Sequence, residues 1–318
     1  MADVAIEPTH TIKKRRPSLR ERLHWNPVAL KELRSRMRGR RAFMMITLHV
    51  VLLSALVSLV YFAFSASYST FGNPSGLQAL GKVVFSTVVG LQLLMLCFIA
   101  PALTVGAISA ERERQTFDLL RATLLSARSL VLGKLLSALS FTFLLMLAAI
   151  PLESLAFLFG GITLEEVFIG SVMLVVTAVA FSALGLFFSS FTKRTLVSTA
   201  LANGTAILLV VGLPIMLFVV LSLMAPTIYG FGGPPDIDAQ IRAQTIQWII
   251  VSITPLAAGI TTQAMLASGQ GAFVWSMPLS NGNTLQLLSP WIGYVVVYVL
   301  LSVILIALSI RFVKRVEK

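Results

Sequence analysis

At 318 residues, with 57% hydrophobic side chains, only 12% charged ones and a mean hydropathy of +0.88, the chain lies far from a soluble domain, where about a quarter of residues carry charge. This composition marks an all-α polytopic membrane protein. The formal net charge of +12 would suggest nucleic acid in a soluble protein, but 23 of the 25 Lys and Arg residues sit in four stretches beside apolar runs, which assigns them to a membrane surface and leaves no nucleic-acid partner.

Residues 1–18 are polar and end in Lys13-Lys-Arg-Arg-Pro17, the composition of a disordered cytosolic tail. From Asn26 the pattern changes. Asn26 can cap a helix that Pro27 opens. Leu30, Leu33 and Met37 then recur at spacings of three and four against Lys31, Arg34, Arg36, Arg38, Arg40 and Arg41. Residues 1–41 are therefore expected to hold a tail and a basic amphipathic helix lying on the membrane surface.

The remainder, 42–318, reads as one transmembrane domain. Runs of roughly 20 or more apolar residues, enough for a ~30 Å hydrocarbon core, occur near 43–64, 83–109, 131–159, 167–190, 195–224 and 291–310. The basic leader of about 41 residues and the length of the first run exclude a cleavable signal peptide. Lys and Arg number twelve before Ala42, five between Arg112 and Lys134, two at Lys193-Arg194 and four after Ile310. Such alternation predicts six spans with both termini cytosolic under the positive-inside rule. An odd number would put one basic end outside.

The loops are short, except for the cytosolic stretch 110–130 and the segment 225–290. Spans 3 and 4 are expected to join through a tight Gly160-Gly161 turn, and spans 4 and 5 through little more than Thr192-Lys-Arg194. Residues 225–290 are longer, broken by Pro226, Gly230 and Gly232-Gly-Pro-Pro235, and contain an apolar run over about 245–267 with Pro255 and Gly259 inside it. Counting that run as a span would invert the basic C-terminus, so the segment is read as re-entrant or interfacial helices on the outer side.

Most chemical motifs fail on inspection. Gly76-Leu-Gln-Ala-Leu-Gly81-Lys82 matches the start of a phosphate-binding loop, but Val83 stands where Ser or Thr holds magnesium and no strand precedes it. Cys97 is the only cysteine, His24 and His49 are isolated, and no metal or catalytic constellation is visible, so neither an enzyme nor a cofactor is expected in this chain. Glu153 is the one acid within a span, which argues against an ion-coupled secondary transporter or channel. Gln92, Asn203 and Thr205 are candidates to line a translocation path, and interhelical hydrogen bonding accounts for them equally well. A membrane anchor that merely recruits a soluble partner is the other alternative.

The strongest local signal is Glu111-Arg-Glu-Arg-Gln-Thr-Phe-Asp118, inside a cytosolic segment spanning 110–130. Glu111 and Arg114 can pair as on a solvated helix end, but that leaves Phe117, Leu119 and Leu120 without a reason. A charged rim around an apolar centre suits docking of a soluble partner.

Here the chain resembles the ABC-2 type permeases, the transmembrane subunits of ATP-binding-cassette exporters. Their pattern is approximately ISxERERGTLELL, then a (T/S)PLSPRxxLLGK-like turn, with NPxxxKELR upstream. This chain has Ile108 to Leu120, Thr123 to Lys134, and Asn26-Pro-Val-Ala-Leu-Lys-Glu-Leu-Arg34. It departs at Gln115 for Gly, Asp118 for Glu, and Leu124 and Ala127 for prolines. The resemblance implies a half-transporter in the plasma membrane: six helices per chain, a second permease chain alongside, and separate cytosolic ABC ATPase subunits that hold ATP and magnesium. It also implies that Leu30, Glu32, Leu33, Arg34 and Met37 on a connecting helix, and Glu111, Arg112, Glu113, Arg114, Phe117 and Leu120 on a coupling helix, contact the ATPase. Export would follow, with a substrate that the sequence leaves open beyond a leaning toward hydrophobic or amphipathic compounds.

Overall fold

The computed structural model describes residues 40–67, 74–116, 126–229 and 236–315. Among them six helical stretches are long and apolar enough to cross a membrane. Five are single helices: α1 (Arg40–Ser67), α2 (Pro74–Ala102), α4 (Ala127–Phe159), α5 (Leu164–Phe191) and α10 (Pro290–Arg315). The sixth is a rod made of α6 (Thr195–Ile207), a π-helical turn at Leu208–Gly212, and α7 (Leu213–Tyr229). These stretches fall on the six apolar runs of the sequence. A short α3 (Ser109–Glu113) sits between α2 and α4.

The helix boundaries follow local chemistry. α2 begins at Pro74, before the expected start, and Lys82, which interrupts the apolar run, is paired with Glu166 of α5 at 3.8 Å. It ends at Ala102 rather than near 109, one residue after Pro101, and Thr104, Val105 and Ala107 are held in tight turns instead. α4 opens on Ser126, whose hydroxyl accepts from the Ser129 N–H at 3.2 Å. Gly160 and Gly161, at φ values of 82° and 81°, make the turn to α5 in a region that only glycine enters freely. α5 then starts with a reciprocal capping box between Thr163 and Glu166.

α5 is the centre of the bundle: 67% of its most apolar stretch is buried, against 11% for α1 and 6% for the α6–α7 rod. It packs most extensively on α10 and α2. Two buried tyrosines of α10 fix that contact. Tyr294 Oη lies 2.7 Å from Thr177 Oγ1 of α5, and Tyr298 stacks on Phe181 at 6.0 Å. The π turn arises next to Pro214, which lacks the N–H for a regular α-helical bond, so the Leu213 N–H reaches back five residues to the Leu208 carbonyl.

The stretch before α10 holds α8 (Ile237–Ile253) and α9 (Pro255–Ala267), which meet at a bend of 114°. Thr254 is extended, as the residue before a proline prefers, and Pro255 opens the second helix. Neither half alone, ~26 Å and ~20 Å long at 1.5 Å per residue, covers a ~30 Å core. Tyr298 donates to the Ile253 carbonyl at 2.7 Å and ties the bend to α10.

A two-stranded antiparallel hairpin follows, β1 (Val274–Pro278) with β2 (Thr284–Leu288), in register from Val274 opposite Leu288 to Pro278 opposite Thr284. The sequence reading contained no strand here. The hairpin closes through Asn281 and Gly282, the latter at φ 82°. Side chains at successive turns of α8 strap it down: Gln240 bonds Ser280, Gln244 donates to the Pro278 carbonyl, and Trp248 donates to the Leu288 carbonyl at 2.7 Å.

Candidate functional site

At one end of the bundle the start of α4, the junction of α5 with α6 and the end of α10 come together around α3. Side chains of α3 reach all of these elements except α10, which joins through Phe312 packing on Phe187 and Phe191. The segment is anchored by its backbone first. Ser189 Oγ, fully buried, accepts from the Ile108 and Ser109 N–H groups at 2.9 and 3.0 Å, and Ser198 donates to the Val105 carbonyl at 3.0 Å.

The charges then reach outward from α3. Glu111 Oε1 meets the Lys134 ammonium at 3.5 Å, with Lys134 almost wholly buried at the start of α4. Burial alone would raise the Glu111 pKa, but the Thr116 hydroxyl and Lys134 outweigh it and hold the carboxyl below its ordinary value. Arg112 donates from one terminal nitrogen to the Ser190 carbonyl at 2.9 Å and the Thr192 carbonyl at 3.2 Å, at the last turn of α5. Partial burial pulls its pKa down.

Glu113 accepts twice from Thr195, from the N–H at 2.9 Å and the hydroxyl at 2.6 Å. The carboxylate thus caps the N-terminus of α6, where unpaired N–H groups and the helix dipole favour negative charge. The Thr195 hydroxyl, then its N–H, hold the Glu113 carboxyl below the ordinary carboxylate value.

This is a short charged helix bonded to three transmembrane elements, in a chain whose residues 26–316 match the protein-family description "ABC-2 family transporter protein". The chain belongs to the ABC-2 transporter family. Among curated proteins none matches it. It is accordingly a multi-pass permease, the transmembrane component of ABC-type transport, and the family associates with ATP-binding subunits.

In this permease Gln115 stands where the family pattern has glycine, and the structure gives the position a reason. α3 ends in a Schellman motif: the Thr116 N–H bonds the Glu111 carbonyl at 3.0 Å and the Gln115 N–H bonds the Arg112 carbonyl at 3.2 Å. Gln115 takes the left-handed conformation at φ 57°, alone among described non-glycine residues. Ala127, where proline often stands, is the first residue of α4, a position where proline is favoured but not required once Ser126 caps the helix.

The sequence singled out Glu111 to Arg114 as a unit. The structure brings them together but ties Glu111, Arg112 and Glu113 to other elements, whereas Arg114 is exposed and, among the described residues, meets only the charges of Glu111 and Glu113. Phe117 and Leu120 lie outside the described residues, as do Leu30, Glu32, Leu33, Arg34 and Met37. Gln92 is buried inside the bundle, where its amide neighbours the Glu153 carboxyl of α4. Asn203 and Thr205 stand half-exposed on α6, and Thr205 donates to the Leu201 carbonyl of its own helix. The sequence reading missed Thr195, Ser189 and Ser190, whose only signal was their place at the Thr192-Lys-Arg194 turn.

The Gly76 to Lys82 motif lies within α2, a helix rather than the strand-to-helix loop that such a motif needs. Gly81 is required by packing, since a Cβ there would collide with the Gly160 and Ala156 carbonyls. Lys82 answers to Glu166.

Proposed function

We propose that this permease is half of an ATP-driven exporter in the plasma membrane, with both termini cytosolic, working as a dimer on separate ABC ATPase subunits. The observation that carries this reading is the bonding of α3: one small charged helix grips α4 through Lys134, α5 through Arg112 and α6 through Glu113. A docked ATPase that displaces α3 displaces three spans together. ATP and magnesium in the ATPase pair supply the work, and the permease converts the resulting closure into rigid-body movement of its helices.

In this reading Arg114, Phe117 and Leu120, with Leu30, Glu32, Leu33, Arg34 and Met37 of the N-terminal helix, make the ATPase contact. Glu111, Arg112 and Glu113 position that surface and pass its movement on. The α6–α7 rod, barely buried within one chain yet carrying Asn203 and Thr205, is the element against which the second chain packs, with the path along that seam. The α8–α9 pair is the re-entrant structure on the outer side, and its bend supports that assignment.

The test is purification of the tagged permease from its own host. An ABC ATPase should copurify, and sealed vesicles holding the complex should hydrolyse ATP only from the side bearing Lys193. Absence of any ATPase, or turnover from the opposite side, overturns the reading.

A further inference from the structure

We propose that the permease binds an anionic membrane lipid in a cavity between α2, α5 and α9, with an acyl chain in the cavity and the headgroup at Lys82. The assignment is independent of the ATP-driven cycle, because it concerns occupancy and holds whether or not the bound molecule is moved.

The cavity measures about 590 Å³, well within the range of small-molecule sites. Its walls are apolar: Leu93 and Leu94 from α2, Ile169 and Met173 from α5, Leu256 from α9, and Leu56 from α1. Along α2 the lining runs from Lys82 to Leu94, a length of ~18 Å at 1.5 Å per residue, which suits an extended chain better than a compact solute. Val83 and Ile260 line it and are exposed, so it opens on the outer surface of the bundle. Gly90 also lines it, and a Cβ added there would meet nothing within 4 Å. Glycine at that place leaves volume open that any other residue would fill.

Charge is confined to one end. Glu166, 3% exposed, already accepts from the Thr163 N–H at 3.1 Å and faces Lys82 at 3.8 Å, so its carboxylate is enclosed and engaged. The Lys82 side chain is 34% exposed, and an ammonium has three donors of which a contact of 3.8 Å satisfies none well. What the cavity end offers an incoming molecule is therefore positive charge. A lysine beside hydrocarbon is costly unless compensated, and Glu166 compensates it while leaving its outer side open to a phosphate headgroup. Of the remaining polar groups Ser86 donates to the Val83 carbonyl of its own helix, while Thr87, Gln263 and the Thr262 hydroxyl, buried and unpartnered among the described residues, are available to the ester oxygens of a lipid.

The experiment places the full-length permease in nanodiscs of phosphatidylcholine containing a minor fraction of a diazirine-acyl probe, either phosphatidylglycerol or phosphatidylcholine. On irradiation the phosphatidylglycerol probe should label peptides of α2 and α9 several-fold more than the phosphatidylcholine probe does. Gly90→Phe should abolish most of that labelling while melting temperature and elution volume stay those of the parent. The double variant Lys82→Gln with Glu166→Gln, which leaves no buried charge unpaired, should equalise the two probes and retain labelling. Equal labelling by both probes in the parent, labelling of α7 as strong as that of α2 and α9, or insensitivity to Gly90→Phe in a folded variant each overturn the proposal. Displacement of the probe by glycerol 3-phosphate alone would show that a free phosphate, not a lipid, is the ligand.

Discussion

Glu113 has no burial to hold it in place, and its two bonds to Thr195, with the charge of Arg194 beside them, fix it to the start of α6. Because its folded pKa lies below the ordinary 4.5, this tie contributes fully above pH 4.5 and is lost as pH falls through the lower folded value. The protection factor of the Thr195 N–H, the intrinsic exchange rate over the observed one at the same pH, should accordingly fall as the medium is acidified. In Glu113→Ala it should be low at every pH, and Glu113→Gln, which keeps one acceptor, should fall between. Gln115 makes a second prediction at this scale. Its left-handed backbone costs a side-chain residue about 1 kcal/mol that glycine avoids. Gln115→Gly should therefore raise the stability of the α3 turn by roughly that amount, read as slower exchange at the Thr116 N–H, whereas Gln115→Val should lower it. The sequence located these charges but not their partners, since Ser190, Thr192 and Thr195 lie some 80 positions away and carry no charge of their own. Charge pattern along a chain speaks to neighbours within a helical turn; a carboxylate capping a distant helix leaves no periodic trace.

Elements differ in how much of their stability is local. The spans were legible because bilayer crossing demands ~20 apolar residues in one run, and each run stands in the chain unaided. The break at Thr254-Pro255 was legible for the same reason, a proline acting on its immediate neighbour. The β1–β2 hairpin was not. Its strands are five residues each and largely exposed, and they are held by Gln240, Gln244 and Trp248 of a helix some 34 to 40 positions earlier. The Asn281-Gly282 turn is its one local signal, inside the outer 225–290 segment whose helices the sequence places near 245–267. Trp248→Phe removes one N–H donor while keeping the ring, so it should loosen the hairpin by about 1 kcal/mol, visible as faster exchange in Thr284–Leu288 with α8 unchanged. The π turn in the rod likewise escaped the sequence reading, although Pro214 was there to cause it.

At the scale of the whole molecule, the bundle separates into a packed centre of α5 with α2, α4 and α10 against it and a sparsely buried periphery of α1 and the α6–α7 rod. α3 bridges that division, since Arg112 holds the central α5 and Glu113 holds the peripheral α6. The proposed topology, with both termini cytosolic and the hairpin outside, makes a direct prediction for labelling, helped by the burial of Cys97, the sole cysteine. A membrane-impermeant maleimide applied to cells should label Asn281→Cys and miss Lys193→Cys until the membrane is opened. The claim that matters most is that α3 transmits the ATPase to the spans. Its most direct test is ATP turnover by the reconstituted complex carrying Arg112→Ala with Glu113→Ala. The account predicts that the ATPase still copurifies, through Arg114 and the apolar residues beyond it, while permease-dependent turnover and transport fall together. Parental turnover and transport in a complex that carries both substitutions would contradict it.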